Sequence, residues 1–315
     1  MLAWVDGVLV PEEEVTLPVN SVTAALGIGF FEALRCYPGP DGVQRAFRPG
    51  LHHVRLRRSL SVVGTAVPLT LPELLAGIAD VVAGNDIGAE PVYLKVMVCW
   101  DTVLQGSSLV RLDELRPRVI LFARATDRQV FADGPATVRC RLSSWTRVPG
   151  ASMPAEAKAT ANYFNARLGL TEALAGGYDN AIFVDGNGHL TEAAEANIFV
   201  VSHDSRTIAT PPVSSGILPG VTRASVLSLL RAHFTDWDVV ERPLTRVDLY
   251  AADEAFLTNT AQLIRQVGAV DGHTYRTGTS TVTARIRRCL IDVLFQRVTS
   301  PPDWLTDIPT LAGGS

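Results

Sequence analysis

The sequence is sparing with cysteine, with charge of one sign and with long apolar runs. Its 315 residues hold four cysteines, at 36, 99, 140 and 289. No two stand at CxxC spacing, so a zinc knuckle or redox dithiol has no support. Buried free thiols in a reducing compartment are expected instead. The 28 basic and 32 acidic residues leave a net charge of −4, which argues against nucleic acid as a ligand but leaves room for a local anion pocket. No run of about 18 apolar residues occurs, so no membrane span is expected. The opening MLAWVDGVLVPEEE has no basic n-region and carries Asp6 inside its short apolar stretch, which does not read as a signal peptide. A soluble, cytoplasmic protein is expected.

Familiar catalytic motifs are missing too. Gly27-Ile28-Gly29 has Glu32 where a dinucleotide fingerprint needs its third glycine. Neither a phosphate-binding GxxxxGKS/T loop nor a GxSxG nucleophile elbow occurs. His52-His53 is the only histidine cluster, and adjacent helical residues point in different directions. No metal site is expected there; a surface or domain-interface role is the simpler reading.

What is present is a core-forming chain, 47% hydrophobic. Its length suggests about two domains of roughly 150 residues each. Asp6-Gly7 between short apolar runs reads as a type I′ hairpin, and Pro40-Asp41-Gly42 as a second turn between strands. Residues 51–63 read as a helix. Thr70 with Glu73 is a capping box opening another helix that runs to Val82. VYLKVMV and RVILFA read as strands. The polar stretch 123–135 reads as an inter-domain linker. Domains are therefore expected at 1–122 and 136–315.

In the second of these, residues 157–175 read as a helix closed by Gly176-Gly177. Gly186-Asn187-Gly188 and HDSR mark hairpins within a meander of antiparallel strands. LPGVT at 218–222 opens a further helix, Thr245 with Asp248 caps a short one, and 281–297 closes the domain. The tail from Ser300 reads as irregular.

Three features of this half carry chemistry. Lys158 stands alone among small residues after a stretch with two prolines. A lone lysine is most often a solvated surface residue. A buried one shifts its proton affinity readily, as covalent amine chemistry requires. LTEAAEANIFVV offers Glu192, Glu195 and Asn197 beside a strand end. Leu218-Pro219-Gly220-Val221-Thr222 presents backbone N–H groups at a helix start, a ready anion site.

Together these elements resemble the class IV aminotransferases, which depend on pyridoxal phosphate. Glu192, Asn197-Ile198-Phe199, Ile208, Thr210, Leu218, Gly220, Val221 and Arg223 fall on the family's spaced pattern. FFEALRCY at 30–37, HHVRL at 52–56, SSWTR at 143–147 and TNTAQLI at 258–264 extend the match, with the branched-chain type nearest. The resemblance implies an α+β, two-domain fold type IV enzyme. A small α/β N-terminal domain would precede a larger domain with a β-barrel-like antiparallel core flanked by helices. It implies a homodimer, with the site built between the two domains and in part across the dimer interface.

Residue by residue, the resemblance makes Lys158 the Schiff-base lysine and proton carrier. Glu192 would pair with the pyridine nitrogen and Tyr163 with the ring oxygen. Arg55, the backbone N–H groups of Val221 and Thr222, and the Thr260 hydroxyl would hold the phosphate, with Leu218 under the ring. Phe31, Ala33, Tyr93, Lys95 and Ala261 would face substrate. The implied reaction moves an amino group between an amino acid, branched-chain-like or of specialised metabolism, and a 2-oxo acid such as 2-oxoglutarate.

Departures from the family pattern fall in the substrate region. Lys95 replaces an arginine and is a point charge without the bidentate fork. Alternation puts it on the same strand face as Tyr93. Leu26 replaces a pocket tyrosine, Ala33 a glycine, and the linker lacks capping aromatics. Two rivals remain. A 4-amino-4-deoxychorismate lyase is associated with a threonine near the position that Ala33 holds. A non-catalytic pyridoxal-phosphate-binding protein would have no need of Lys158, Tyr163, Glu192 and Arg55 together.

Overall fold

A computed structural model describes residues 1–106, 109–132 and 137–309. The chain folds as two compact units. The first comprises Met1–Arg128, Ala157–Ala161 and Val293–Ser315; the second comprises Gln129–Glu156 and Asn162–Asp292. Relative to the division expected from sequence, two later segments, one of them containing Lys158, lie with the N-terminal unit. The Asp133–Pro135 end of the expected linker lies outside the described residues, as does the tail beyond Pro309.

The first unit is built on β1 (Leu2–Val5), β2 (Val8–Pro11), α1 (Val22–Leu26), β3 (Gly29–Pro38), β4 (Gln44–Phe47), α2 (Pro49–Ser61), α3 (Leu71–Gly84), β5 (Val92–Cys99) and β6 (Arg118–Ala125). The seven-stranded sheet runs in the order Leu305–Asp307, β4, β3, β5, β6, β1, β2, with every pairing antiparallel. The β1–β2 turn has Asp6 at φ 49° and Gly7 at φ 105°, the two positive values a type I′ hairpin demands. Thr70 and Glu73 form the expected capping box of α3.

Alternation along β5 divides the sheet faces. Val92, Leu94, Val96 and Val98 are fully buried and join Leu34, Leu56 and Ile78 in the core. Tyr93 and Lys95 share the opposite face. Antiparallel register sets Arg35 against Tyr93, Ala33 against Lys95 and Phe31 against Met97. The tail, expected to be irregular, contributes the strand Leu305–Asp307 on β4. Trp304 beside it packs edge-on to Phe47 at 5.7 Å, which anchors the pairing.

The second unit contains β7 (Val138–Leu142), α4 (Asn162–Ala175), β8 (Asn180–Val184), β9 (Leu190–Ala193), β10 (Asn197–Ser202), β11 (Thr207–Thr210), α5 (Val221–His233), β12 (Asp238–Glu241), α6 (Arg246–Tyr250), β13 (Glu254–Asn259), β14 (Leu263–Val270), β15 (His273–Thr274) and most of α7 (Val282–Leu294). Strands β10, β13, β14, β7, β8 and β9 close into a six-stranded barrel through the β9–β10 pairing. The barrel is mixed rather than wholly antiparallel, because β7 runs parallel to both β8 and β14. Its interior holds Ile182, Ile198, Val267 and Leu257. Small residues on α4 let it lie close to the sheet. A side chain at Gly169 would meet the Phe183 ring at 2.4 Å.

Helix α4 begins at Asn162, four residues after Lys158. The segment expected to start the helix is instead non-helical, with a single bridge of Ala159 to Phe30 followed by a turn. Its backbone is used by the first unit: Phe31 N–H donates to Lys158 C=O at 3.1 Å, and Thr160 N–H to Gly29 C=O at 2.8 Å. A backbone group already paired across to a strand is withdrawn from the helical ladder. Cys36, Cys99 and Cys140 are buried and Cys289 partly so, all four as free thiols. Burial pushes the Cys140 thiol up to about 12, which leaves it inert. Among the described residues no helix is long and apolar enough to cross a membrane.

Candidate active site

Lys158 is 9% exposed, so the solvated reading of a lone lysine fails. The segment 157–161 fixes it from both sides. Ser59 Oγ accepts the Lys158 N–H at 2.9 Å, and the Thr160 hydroxyl donates to Gly27 C=O at 2.9 Å. The lysine ammonium stands 4.5 Å from the centre of the Phe31 ring. The Lys95 ammonium stands 5.2 Å from the same ring. The structure thus brings together three residues that lie far apart in sequence: Phe31, Lys95 and Lys158. An aromatic face stabilises a partly desolvated cation.

Arg55 is buried on α2, at 6% exposure. Its Nε and Nη2 both donate to Glu32, each at 2.7 Å. His52 Nδ1 meets the same carboxylate at 2.7 Å. Burial alone would raise the Glu32 carboxyl. The Arg55 charge and hydrogen bonds, aided by His52, overcome that and hold it at about 2. Burial pushes the His52 imidazole below its ordinary value, only partly offset by Glu32, while the Arg55 and Lys158 charges depress it further. His52 is 1% exposed, so it is not the surface residue of the simpler reading. The strand supplies Glu32, and helical spacing puts His52 and Arg55 on one face of α2.

Tyr93 lies under the guanidinium of Arg35 at 5.4 Å. Arg35 is 4% exposed and donates to the Thr126 hydroxyl. Arg35, Glu32 and His52 have no assigned part in the site from sequence alone. The signal available is a charged residue at two positions of an otherwise apolar buried strand, FFEALRCY, which demands a partner.

In the second unit Glu192 sits on β9, a strand buried at all four positions. Its Oε1 accepts from Arg147 Nη2 at 2.6 Å; Oε2 accepts from Asn197 Nδ2 and from Leu218 N–H, both at 3.1 Å. Asn197 also donates to Leu218 C=O at 3.0 Å, so it braces the turn before α5. Arg147, in the SSWTR segment, has no role legible in the sequence. Only the buried carboxylate it serves points to it.

Gly220 is the N-cap of α5, and no side chain caps the helix. A Cβ at Gly220 would lie 2.1 Å from Asn197 Oδ1. That close approach is why glycine stands there. Val221 and Thr222, each 5% exposed, are the first two residues of α5. Their N–H groups belong to the helix end that favours an anion. Thr260 and Ala261 occupy the turn between β13 and β14. Tyr163 is half-buried in the first turn of α4. Among the described residues no group of three or more His, Cys, Asp or Glu comes together to hold a metal.

Each unit carries groups of the kind pyridoxal phosphate needs: a buried lysine in the first, and in the second an uncapped helix start and a buried carboxylate with three donors. Comparison with known proteins bears on the same chemistry. The family model described as amino-transferase class IV matches residues 29–270. A branched-chain-amino-acid aminotransferase of Pseudomonas aeruginosa is 30% identical over 96% of each chain. The crystal structure of a branched-chain aminotransferase from Thermoproteus uzoniensis with norvaline superposes with a TM-score of 0.88 at 33% identity, over 98% of this chain and 99% of that one. The T.th. branched-chain enzyme complexed with N-(5′-phosphopyridoxyl)-L-glutamate gives 0.85 at 28% identity, over 98% of both.

Proposed function

The chain belongs to the class IV aminotransferases, and from that premise we propose that it moves an amino group between a branched-chain-type amino acid and a 2-oxo acid such as 2-oxoglutarate. Class IV aminotransferases are pyridoxal-phosphate enzymes, and the lyase and non-catalytic readings are not favoured. The observation that carries the proposal is the burial and double anchoring of Lys158.

Bound pyridoxal phosphate supplies an electron sink for the substrate's α-carbon. The chain's residues do the rest. Lys158, a buried amine, would be the group that moves the proton at the substrate's α-carbon, which is general acid–base work. Glu192 would hold a proton at the ring nitrogen, and the Tyr163 phenol would be the partner of the ring oxygen. Arg55, the Val221 and Thr222 N–H groups and the Thr260 hydroxyl would hold the phosphate, and Leu218 would support the ring. Phe31, Ala33, Tyr93, Lys95 and Ala261 orient the substrate. Lys95 offers its carboxylate partner a single point charge. Norvaline and glutamate, named with the two related structures, support an apolar donor and an acidic partner. A cytoplasmic homodimer is part of the same reading.

The test is direct. Purified protein supplied with pyridoxal phosphate should be yellow, and borohydride should fix the cofactor to the peptide holding Lys158. Protein that takes up none overturns the reading. A panel of L- and D-amino acids, scored for conversion to the pyridoxamine form, then defines the donor and its handedness. Pyruvate release from aminodeoxychorismate without amine transfer would overturn the aminotransferase reading.

A further inference from the structure

We propose that Arg147 is a positioning residue for amino transfer: its guanidinium fixes the aim and charge of Glu192, and so decides whether the proton beside that carboxylate rests on the cofactor's ring nitrogen. The inference rests on the function proposed above.

Glu192 is buried and Arg147 partly so, their side chains 5% and 11% exposed, with Nη2 to Oε1 at 2.6 Å. The arginine is held from several directions. Its backbone N–H donates to Val184 C=O at 2.9 Å. Its guanidinium lies 5.7 Å from the centre of the Phe183 ring. Nη1 reaches Asn165 Oδ1 at 3.5 Å, and Asn165 is itself tied to Thr146 C=O at 3.1 Å. A side chain braced this way is aimed rather than merely tethered.

The chemistry follows from burial. A carboxylate taken out of water tends to bind a proton unless a cation and hydrogen-bond donors offset the loss of hydration. Asn197 and Leu218 supply neutral N–H donors to Oε2. Arg147 supplies the cation, on Oε1. With it, Glu192 is an anion that accepts, and a proton on the ring nitrogen stays on nitrogen. Without it, the same proton moves from nitrogen to Glu192 oxygen, and the neutral ring withdraws electrons less strongly. The guanidinium bears on the carboxylate directly, so its loss acts there first.

A small cavity of about 10 Å³, lined by Arg147, Val148, Met153, Ala155, Asn162 and Asn165, adjoins the pair. It is room for one water, which lets a shorter side chain replace the arginine without a clash.

The experiment compares wild type, Arg147→Met and Arg147→Lys as proteins reconstituted with pyridoxal phosphate. It reads cofactor affinity by titration of the apoprotein, the pH dependence of the visible absorption band, and kcat and KM for one donor. Arg147→Met should weaken cofactor binding by about 10- to 100-fold, in the range seen when a supporting partner is lost. It should move the pH midpoint of the band by at least about one unit and lower kcat more than KM. Arg147→Lys should restore most of both. A folded Arg147→Met protein with the wild-type band titration and kcat overturns the proposal. Should Arg147→Met not fold, Arg147→Gln carries the same measurement with the same opposed outcomes. A wild type that binds no cofactor overturns the functional reading, and this inference with it. A wild type that binds cofactor, beside an unmoved variant, overturns only the role of Arg147.

Discussion

Replacing Glu32 with glutamine should cost about 3 kcal/mol of stability at neutral pH. The carboxylate accepts two hydrogen bonds from Arg55 and one contact from His52, each at 2.7 Å, and is 2% exposed. Glutamine keeps the shape but turns one acceptor end into a donor facing a guanidinium. In cofactor-free protein it also takes from the buried Arg55 charge its Glu32 counter-ion. Losing one partner of a buried pair costs about 3–5 kcal/mol. The titration of Glu32 gives a second route to the magnitude. Its carboxyl is held at about 2 against an ordinary 4.5, and each unit is worth about 1.4 kcal/mol. The two routes agree at about 3–4 kcal/mol.

The sign is fixed by linkage. A carboxyl whose value is depressed on folding stabilises the fold at every pH above its unfolded value, and the gain is lost as pH falls through the folded value. With His52→Gln as a common background to remove the coupled imidazole, the gap that Glu32→Gln opens should be constant from neutral pH down to about 4.5 and shrink between 4.5 and about 2. Urea denaturation at neutral pH and at several values below 4.5 reads both, and melting should drop by roughly 5–10 °C. A neutral-pH difference under about 1 kcal/mol, or a gap that does not shrink on acidification, would refute the reasoning.

Other outcomes follow from the same geometry. His52 is pushed below its ordinary 6.5 by burial, so wild-type stability should begin to fall as pH drops below about 6.5, while the imidazole resists a proton that the unfolded chain accepts; His52→Gln should remove that step from a pH series of denaturation curves. Lys95→Met should raise KM for acidic substrates more than for apolar ones, and equal losses in steady-state kinetics would count against a charge role. Gly220→Ala should drive a methyl into Asn197 Oδ1, 2.1 Å away, costing about 1–3 kcal/mol of stability and weakening cofactor uptake; a variant matching wild type in both melting and titration would show that the approach has slack.

Local chemistry was the legible part of the fold. The Asp6-Gly7 turn and the capping boxes at Thr70 and Thr245 are written in two to four adjacent residues. Long-range pairing was not. Parallel alignment of β7 with β8 and β14 depends on partners far along the chain, and the strand Leu305–Asp307 has no periodic signal of its own. Lys158 shows the difference most clearly. Small residues followed by an apolar period read as one helix, yet backbone partners on β3 and the Ser59 hydroxyl keep the first residues out of the helical ladder. For the site, chemistry-bearing residues could be picked out by type and spacing. The residues that support them could not, because Glu32 and Arg147 declare themselves only beside Arg55 and Glu192 in space.

The barrel has a seam, and the seam falls at Glu192. Strand β9 meets β10 at a single register pair, Glu192 with Asn197, and the side chains of those two residues are bonded as well. Ring closure and carboxylate alignment are therefore one event. A barrel not yet closed lacks the Asn197 bond to Glu192, so wall and carboxylate are fixed by the same bridge. A slip of one residue at this join would turn Glu192 to the other side of the wall.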